Sequence, residues 1–189
     1  AVDGSPDAGW NHDGIGGAAT NVRALVLNVG PRAGKLMPGN EDGPEEFTIS
    51  AKRDGTGAIV ANRIVVAADD TTQEFDTTTF DWICFDAGVG NDVITIGPDV
   101  NVKVWGYGGA GNDQLTGSAA ANTLYGDGAA EAPSDGVDKL VGRKGDDHLV
   151  GGGQGDFLFG FGGADTIDGG TGEDHLYGED EVEIGRAHV

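Results

Sequence analysis

A nine-residue repeat in the last third of the chain constrains its fold more than any other feature. From Gly142 the segments GRKGDDHLV, GGGQGDFLF, GFGGADTID and GGTGEDHLY follow one another without a gap. The sixth position is always aspartate and the eighth is always aliphatic. The residues at these positions are Asp147, Asp156, Asp165 and Asp174, then Leu149, Leu158, Ile167 and Leu176. Four consecutive copies predict a repeat architecture in which each unit packs on its neighbours.

Four segments nearer the N-terminus share this spacing. They are AGVGNDVIT with Asp92, GGAGNDQLT with Asp113, GSAAANTLY with Asn122 in place of the acid, and PSDGVDKLV with Asp138. The seven residues Gly126 to Ala132 do not fit, and we interpret them as an insertion in a turn. The repeat region is therefore assigned to residues 86–182.

The residue types at the fixed positions indicate a site for a hard cation. Glycine adopts the left-handed turn conformations that other residues resist, and it lets carbonyl oxygens approach a common centre. Carbonyl and carboxylate oxygens are the ligands that Ca²⁺ prefers, whereas Mg²⁺ retains water and requires a tight octahedron. The aliphatic residue at position eight is predicted to point inward and to build a thin core.

The segment GGTGEDHLY matches at every position the hemolysin-type calcium-binding repeat, and the chain resembles the RTX proteins from Asp86 to about Asp180. The resemblance implies an all-β fold, a right-handed parallel β-roll of about five coils, preceded by a small β-strand-rich segment. Two nonapeptides would make one coil, and calcium would lie between turns stacked on the same side.

The resemblance implies metal ligands from turn glycines and from the aspartate at position six. The predicted set is Asp92, Gly109, Gly111, Asp113, Gly136, Asp138, Gly145, Asp147, Gly152, Asp156, Gly163, Asp165, Gly170, Gly172 and Asp174. Turns two repeats apart should stack, which predicts roughly four to six Ca²⁺ ions. The expected partners are Asp92–Asp113, Asp113–Asp138, Asp138–Asp156 and Asp156–Asp174 on one edge, and Asp147–Asp165 on the other. We expect Asn122 to weaken the site shared with Asp147, and Gln154 to strain its turn.

The charge of the chain restricts its partners. Thirty-two acidic residues against 11 Lys and Arg give a net charge of −21, which excludes nucleic acid because phosphate binding needs clustered basic residues. The repeat region alone holds 18 acidic and 4 basic residues, a net charge of −14. Coiling brings its carboxylates to the strand spacing of about 5 Å, so folding is predicted to require cations. No apolar run reaches the roughly 20 residues of a membrane span.

Residues 1–85 are predicted to be β-rich. Strand-like segments are Val22 to Gly30, Glu46 to Arg53, Ala58 to Ala68 and Phe80 to Asp86. The sequence DGTG at 54–57 indicates a hairpin turn. We interpret this part as a cap over the first coil or as the tail of an upstream domain. The lone Cys84 is expected to be a small buried residue, and EIGRAHV at 183–189 is interpreted as a non-native tail.

Motifs for catalysis are weak. The sequence GYGGAG at 106–111 has the spacing of a dinucleotide-binding loop but continues into the nonapeptide instead of a helix. No H-E-x-x-H or G-x-S-x-G segment occurs, so an enzyme is not predicted. His148 and His175 lie three repeats apart and are expected to be exposed on opposite faces.

An aromatic patch is predicted near the end of the repeats. Phe157 and Phe159 should neighbour His175 and Tyr177, with Phe161 nearby. The patch is either a docking face for a partner or a cross-strand ladder that only stabilises the sheet.

The predicted function is calcium ion binding that drives folding of a secreted bacterial protein. By resemblance, the chain is exported by type I secretion machinery and folds outside the cell or at its surface, where calcium is abundant. Two alternatives stay open. The repeats are the calcium-binding accessory module of a larger secreted enzyme, such as a protease, lipase or epimerase, or they belong to a surface adhesin that binds through the aromatic patch.

Overall fold

The computed structural model describes residues 23–28, 44–68, 71–128 and 136–178. The predicted tail at 183–189 lies outside the described residues. Within these ranges the only helical element is a single 3-10 turn, Thr77–Thr79, and no helix is long and apolar enough to cross a membrane.

Fourteen strands account for the fold of the described residues. They are β1 (Ala24–Asn28), β2 (Glu46–Arg53), β3 (Ile59–Ala68), β4 (Thr71–Asp76), β5 (Trp82–Val89), β6 (Val93–Ile96), β7 (Lys103–Ala110), β8 (Gln114–Thr116), β9 (Asn122–Asp127), β10 (Lys139–Lys144), β11 (His148–Gly153), β12 (Phe157–Gly162), β13 (Thr166–Thr171) and β14 (His175–Tyr177). The predicted all-β class is confirmed.

The strands form two sheets that the chain visits alternately. The first sheet has the order β1-β5-β7-β9-β11-β13, and every pair in it is parallel. The second has the order β14-β12-β10-β8-β6-β2-β3-β4, and it is parallel from β14 to β2. From β5 to β14 each strand of one sheet is followed by a strand of the other. This is a parallel β-solenoid, and the predicted β-roll is confirmed.

The register places equivalent repeat positions above one another. Leu140 pairs with Leu158 and Leu158 with Leu176, while Leu149 pairs with Ile167. The side chains at position eight fill the space between the sheets. Those with no exposed surface are Ile94, Leu115, Leu124, Leu140, Leu149 and Leu158. The predicted inward row is confirmed, although Ile167 is only partly buried at the end of the first sheet.

The N-terminal strands continue the same two sheets. β1 pairs with β5, so that Leu25 lies beside Ile83, and β2 pairs with β6, so that Phe47 lies beside Ile94. All four side chains belong to one core cluster. Strand β5 also crosses residue 85, the predicted end of the N-terminal part. The division into domains stays a prediction, but strands on both sides of it share one core.

A hairpin widens the second sheet beyond the coils. β2, β3 and β4 are antiparallel, and the turn at Asp54 is closed by Asp54 Oδ1, which accepts the N–H groups of Thr56 at 2.8 Å and Ala58 at 3.1 Å. The predicted hairpin turn is confirmed. Strand β4 was not predicted because its sequence, TTQEFD, is polar and its side chains are mostly exposed. Cys84 is buried, as expected.

Candidate metal centres

The turns of the roll stack along two edges. The first edge carries the turns from the first sheet to the second, at 87–92, 108–113, 126–128 with 136–138, 151–156 and 169–174. The second edge carries the return turns, which include 117–122, 142–147 and 160–165. All predicted metal ligands lie in these turns. Because equivalent turns are two repeats apart, the predicted stacking is confirmed.

A ladder of hydrogen bonds joins the position-six aspartates. In each step the backbone N–H of one aspartate donates to Oδ1 of the aspartate in the following turn. The steps on the first edge are Asp92 to Asp113, Asp113 to Asp138 and Asp138 to Asp156, each 2.8 Å, and Asp156 to Asp174, 2.9 Å. On the second edge Asp147 donates to Asp165 at 3.0 Å. All five predicted pairs are confirmed, including the pair that spans the insertion.

The second carboxylate oxygen points to the glycine that opens its own turn. A Cβ atom on Gly108 would lie 2.4 Å from Asp113 Oδ2 and 2.4 Å from the carbonyl oxygen of Gly126, which opens the next turn. The equivalent distances are 2.2 and 2.5 Å at Gly126 (Asp138 Oδ2, Gly151 O) and 2.3 and 2.5 Å at Gly151 (Asp156 Oδ2, Gly169 O). Only glycine leaves this space open. A carboxylate oxygen and a carbonyl oxygen of consecutive turns therefore converge on one point.

Left-handed backbone recurs at positions two and four of the turns. The predicted ligand glycines with positive φ are Gly109 (113°), Gly111 (122°), Gly145 (102°), Gly152 (121°), Gly163 (142°), Gly170 (88°) and Gly172 (142°). Gly136 instead lies close against the carbonyl of Gly111, 1.9 Å from the position of an added Cβ. Three larger residues hold positive φ at the same positions, Arg143 (85°), Gln154 (73°) and Phe161 (70°). The strain predicted for Gln154 is confirmed, because such residues resist this conformation.

The family of these turns follows from their sequence and their stacking together. A family model described as the RTX calcium-binding nonapeptide repeat (4 copies) matches residues 106–130, 134–166 and 159–181. The turns between residues 106 and 181 match RTX calcium-binding repeats. No curated protein and no solved structure matches the chain. The RTX repeat is a calcium-binding structural repeat rather than a catalytic unit.

The insertion in the RTX turns begins later than predicted. Gly126 occupies the place of an opening glycine, beneath the carboxylate of Asp138, and Asp127 aligns with the second-position glycine of the preceding turn. The predicted bounds, Gly126 to Ala132, are therefore wrong. The extra residues are 129–135, which lie outside the described part of the chain.

Burial makes the carboxylates of the RTX turns unusual acids. Burial raises the pKa of Asp113 to about 7, that of Asp138 to about 8 and that of Asp147 to about 6. Neighbouring carboxylates raise these pKa values further, while hydrogen bonds to the carboxylates oppose the shift. In these three residues and in Asp174, Oδ2 is buried and has no hydrogen-bond donor among the described residues.

These oxygens fit a hard cation. A buried carboxylate oxygen without a donor is costly, and a divalent ion bound to it and to the facing carbonyl oxygen removes that cost. No group of three or more His, Cys, Asp or Glu side chains suited to a metal occurs in the described ranges. A cation between these turns would take backbone carbonyl oxygens as ligands beside the carboxylates.

Asn122 changes the chemistry of one RTX turn. Its Nδ2 donates to Ala120 O at 2.7 Å, to Gly142 O at 3.0 Å and to Asp147 Oδ1 at 2.8 Å. The amide nitrogen thus bonds a carboxylate oxygen and a carbonyl oxygen of the next turn, the two kinds of oxygen that face each other elsewhere. This contact agrees with the expectation that Asn122 weakens a cation site here.

Two acids of the turns were not predicted. Glu45 is buried at the start of the first edge, and its N–H donates to Asp92 Oδ1 at 2.7 Å, so the ladder begins before the RTX repeats. The sequence signal for Glu45 is its position two residues before the buried Phe47, because the repeat has the same spacing between its aspartate and its aliphatic residue. Asp127 was assigned to the insertion, so its position gave no signal.

The predicted aromatic neighbours are confirmed on the second sheet. Phe157 stacks on His175 with ring centroids 4.7 Å apart, and Phe159 stacks on Tyr177 at 4.8 Å. His148 lies on the other sheet, as predicted, but it is half-buried and packs edge-on against Tyr125. Tyr125 also stacks on Tyr107, with ring centroids 4.7 Å apart, and this second aromatic ladder was not predicted.

Proposed function

We propose that calcium binding to both edges of the roll drives the folding of this chain. The observation that supports this proposal is the meeting of a buried carboxylate oxygen with a carbonyl oxygen between consecutive turns, at Gly108 and Gly126. Without a cation these oxygens repel each other, and the many glycines add to the conformational entropy that folding must overcome. Because the unfolded chain lacks the site, binding energy becomes folding energy.

The proposed ligands are the position-six aspartates and the glycines at positions two and four of the turns. Four gaps separate the turns of the first edge, and the Asp147–Asp165 pair borders one gap on the second edge. This arrangement supports roughly four to six ions. Asp156 has a neighbour on each side in the ladder and is proposed to serve two ions.

Circular dichroism during a calcium titration tests the proposal. The β signal is expected to appear with Ca²⁺ and to be lost in a chelator, while Mg²⁺ at the same concentration restores little of it. Isothermal titration then counts the ions. A β signal of equal size in the chelator contradicts calcium-driven folding, even if calcium binds.

We further propose that the chain is secreted by type I machinery from a bacterial cell and acts outside it. A chain with net charge −21 that folds only with calcium stays extended in calcium-poor cytosol and folds after export. Expression with and without a type I transporter, followed by assay of the medium, tests this. Equal amounts outside the cell in both cases contradict it. The alternative of an accessory module of a larger secreted enzyme is tested by reading the full-length gene.

A second candidate function is adhesion through the aromatic patch. Phe157, Phe161 and Tyr177 remain 40%, 40% and 42% exposed, so their stacking leaves ring surface open to a partner. Alanine at Phe161 and Tyr177 is expected to abolish attachment to a surface without changing calcium affinity. If attachment persists and only stability falls, the rings form a stabilising ladder.

A further inference from the structure

Carbonyl oxygens form a regular row along the first edge. A Cβ atom on Gly109 would lie 2.0 Å from the carbonyl oxygen of Gly88 in the preceding turn, and one on Gly170 would lie 2.1 Å from that of Gly152. The N–H of the third turn position bonds to the same row, as Gly128 does to Gly109 O at 3.1 Å. Each second-position residue thus presents its carbonyl oxygen to the turn above it.

At the turn with the insertion, a carboxylate replaces this carbonyl. A Cβ atom on Gly152 would lie 2.0 Å from Asp127 Oδ2, and the N–H of Gly153 donates to the same oxygen at 2.6 Å. Asp127 Oδ1 also accepts the N–H of Gly136, the first described residue after the insertion, at 3.3 Å. Asp127 is only 7% exposed. A charged oxygen therefore lies where the other turns place a neutral one.

This oxygen lies beside one of the points at which a carboxylate oxygen and a carbonyl oxygen of consecutive turns converge. Asp138 is 1% exposed, its Oδ2 has no hydrogen-bond donor in the described part of the chain, and it converges with Gly151 O at Gly126. Asp127 directly follows Gly126, so both carboxylates border the same gap between turns.

We propose that Asp127 is a further ligand of a cation held between residues 126–128 and 136–138 on one side and the turn 151–156 on the other, and that this gap binds Ca²⁺ more tightly than the other gaps of the first edge. The inference rests on the proposed calcium binding. Its basis is charge, because the affinity of oxygen sites for Ca²⁺ increases with the number of charged ligands. The insertion thus marks the strongest site instead of interrupting the row.

Calorimetric titration of the full chain with Ca²⁺ tests this with two variants. Asp127→Asn keeps an acceptor oxygen but removes the charge, and Asp127→Gly restores the residue type of Gly109 and Gly152. Both are expected to weaken the tightest binding step about tenfold or more. The matched control is Glu74→Gln, which removes an exposed charge on β4, away from the turns, and should change that step less than about twofold.

Three results contradict the inference. If both variants keep the tightest step of the wild type, Asp127 is not a ligand. If only Asp127→Gly weakens it, the side chain acts through its hydrogen bonds to Gly136 and Gly153, and the ligand assignment is wrong. If the wild type binds no Ca²⁺, the proposed function fails and this inference with it. Circular dichroism of Asp127→Asn in saturating calcium confirms that the variant is folded.

Discussion

The turn of Asn122 and the aspartate turns solve the same problem with different chemistry. At Asn122, an amide nitrogen donates to Asp147 Oδ1 at 2.8 Å and to Gly142 O at 3.0 Å. At Gly126, the position of an added Cβ lies 2.2 Å from Asp138 Oδ2 and 2.5 Å from Gly151 O, and Asp138 Oδ2 has no donor among the described residues. The first arrangement is joined by hydrogen bonds, whereas the second is one in which we propose a cation. On this proposal, cation dependence is a property of single turns, and it differs between an amide nitrogen and a carboxylate oxygen.

The largest expected effect tests whether an amide can replace the acid on the first edge. Asp156→Asn removes a charge between two proposed ions, and we expect the calcium-loaded stability to fall by about 3–5 kcal/mol. Two ions should be lost from the calorimetric count. The control is Glu74→Gln, at an exposed position on β4. Wild-type stability and ion count in Asp156→Asn contradict the assignment of Asp156 to two sites.

The reverse substitution, at Asn122, tests whether a carboxylate at this turn creates a further cation site. Asn122→Asp removes the amide donors and places a second carboxylate beside Asp147, so at limiting calcium the free energy of unfolding should fall by about 1–3 kcal/mol. With calcium the variant should bind one more ion than the wild type. An unchanged ion count means that the second edge lacks the geometry for a cation at this turn.

The pH dependence separates the two kinds of turn because an amide does not titrate. Burial raises the pKa of Asp113 to about 7 and that of Asp138 to about 8, from a usual value of 3.8. Between pH values of about 4 and about 8, the metal-free folded chain binds more protons at these carboxylates than the unfolded chain does. Protonation therefore favours the metal-free fold at low pH, and this contribution to stability is lost as pH rises to about 8. Calcium binds the ionised form, so its affinity rises over the same range.

Circular dichroism in chelator and calcium titrations at several pH values measure both trends. Asp113→Asn combined with Asp138→Asn is the control, since it should flatten both curves. A β signal in chelator that increases as pH rises over this range contradicts the role of these carboxylates.

The smallest expected effect concerns backbone strain. Gln154 holds φ at 73°, where the equivalent position two repeats later is Gly172. Gln154→Gly should stabilise the calcium-loaded roll by about 1 kcal/mol, because glycine adopts this conformation without a steric penalty. Thermal unfolding measures the gain, with Gly162→Ala as a control at a glycine without positive φ, where an added Cβ meets only Arg143 O at 3.8 Å. A lower melting temperature for Gln154→Gly means that the contacts of the Gln154 side chain stabilise the roll by more than the strained backbone destabilises it.

The nonapeptide itself allowed the aspartate pairs and the aliphatic row to be predicted, since position six and position eight recur at fixed spacing. The same spacing misplaced the insertion, because Pro133 also fits as a first residue and only the stacking shows Gly126 beneath Asp138. The strands β1 and β2 join the roll without turn glycines in the repeat spacing, so their parallel pairing had no local signal. Asp127 was missed for the same reason, as its partners Gly136 and Gly153 are set by the fold.

The aspartate ladder has a direction, because the aspartate carboxylate of each turn accepts the aspartate N–H of the turn before it. Each coil therefore takes its carboxylate acceptor from its successor, while the amide after its own aspartate bonds to a backbone carbonyl of its predecessor, as Gln114 N–H does to Asp92 O at 2.8 Å. Removing the last turn of the row would strip the carboxylate acceptor from the amide of Asp156, whereas removing the first would release Asp92 Oδ1 and strip the backbone acceptor Glu45 O from the amide of Val93. Shortening such a roll from its two ends is consequently not equivalent, because one end loses a side-chain acceptor and the other a backbone acceptor.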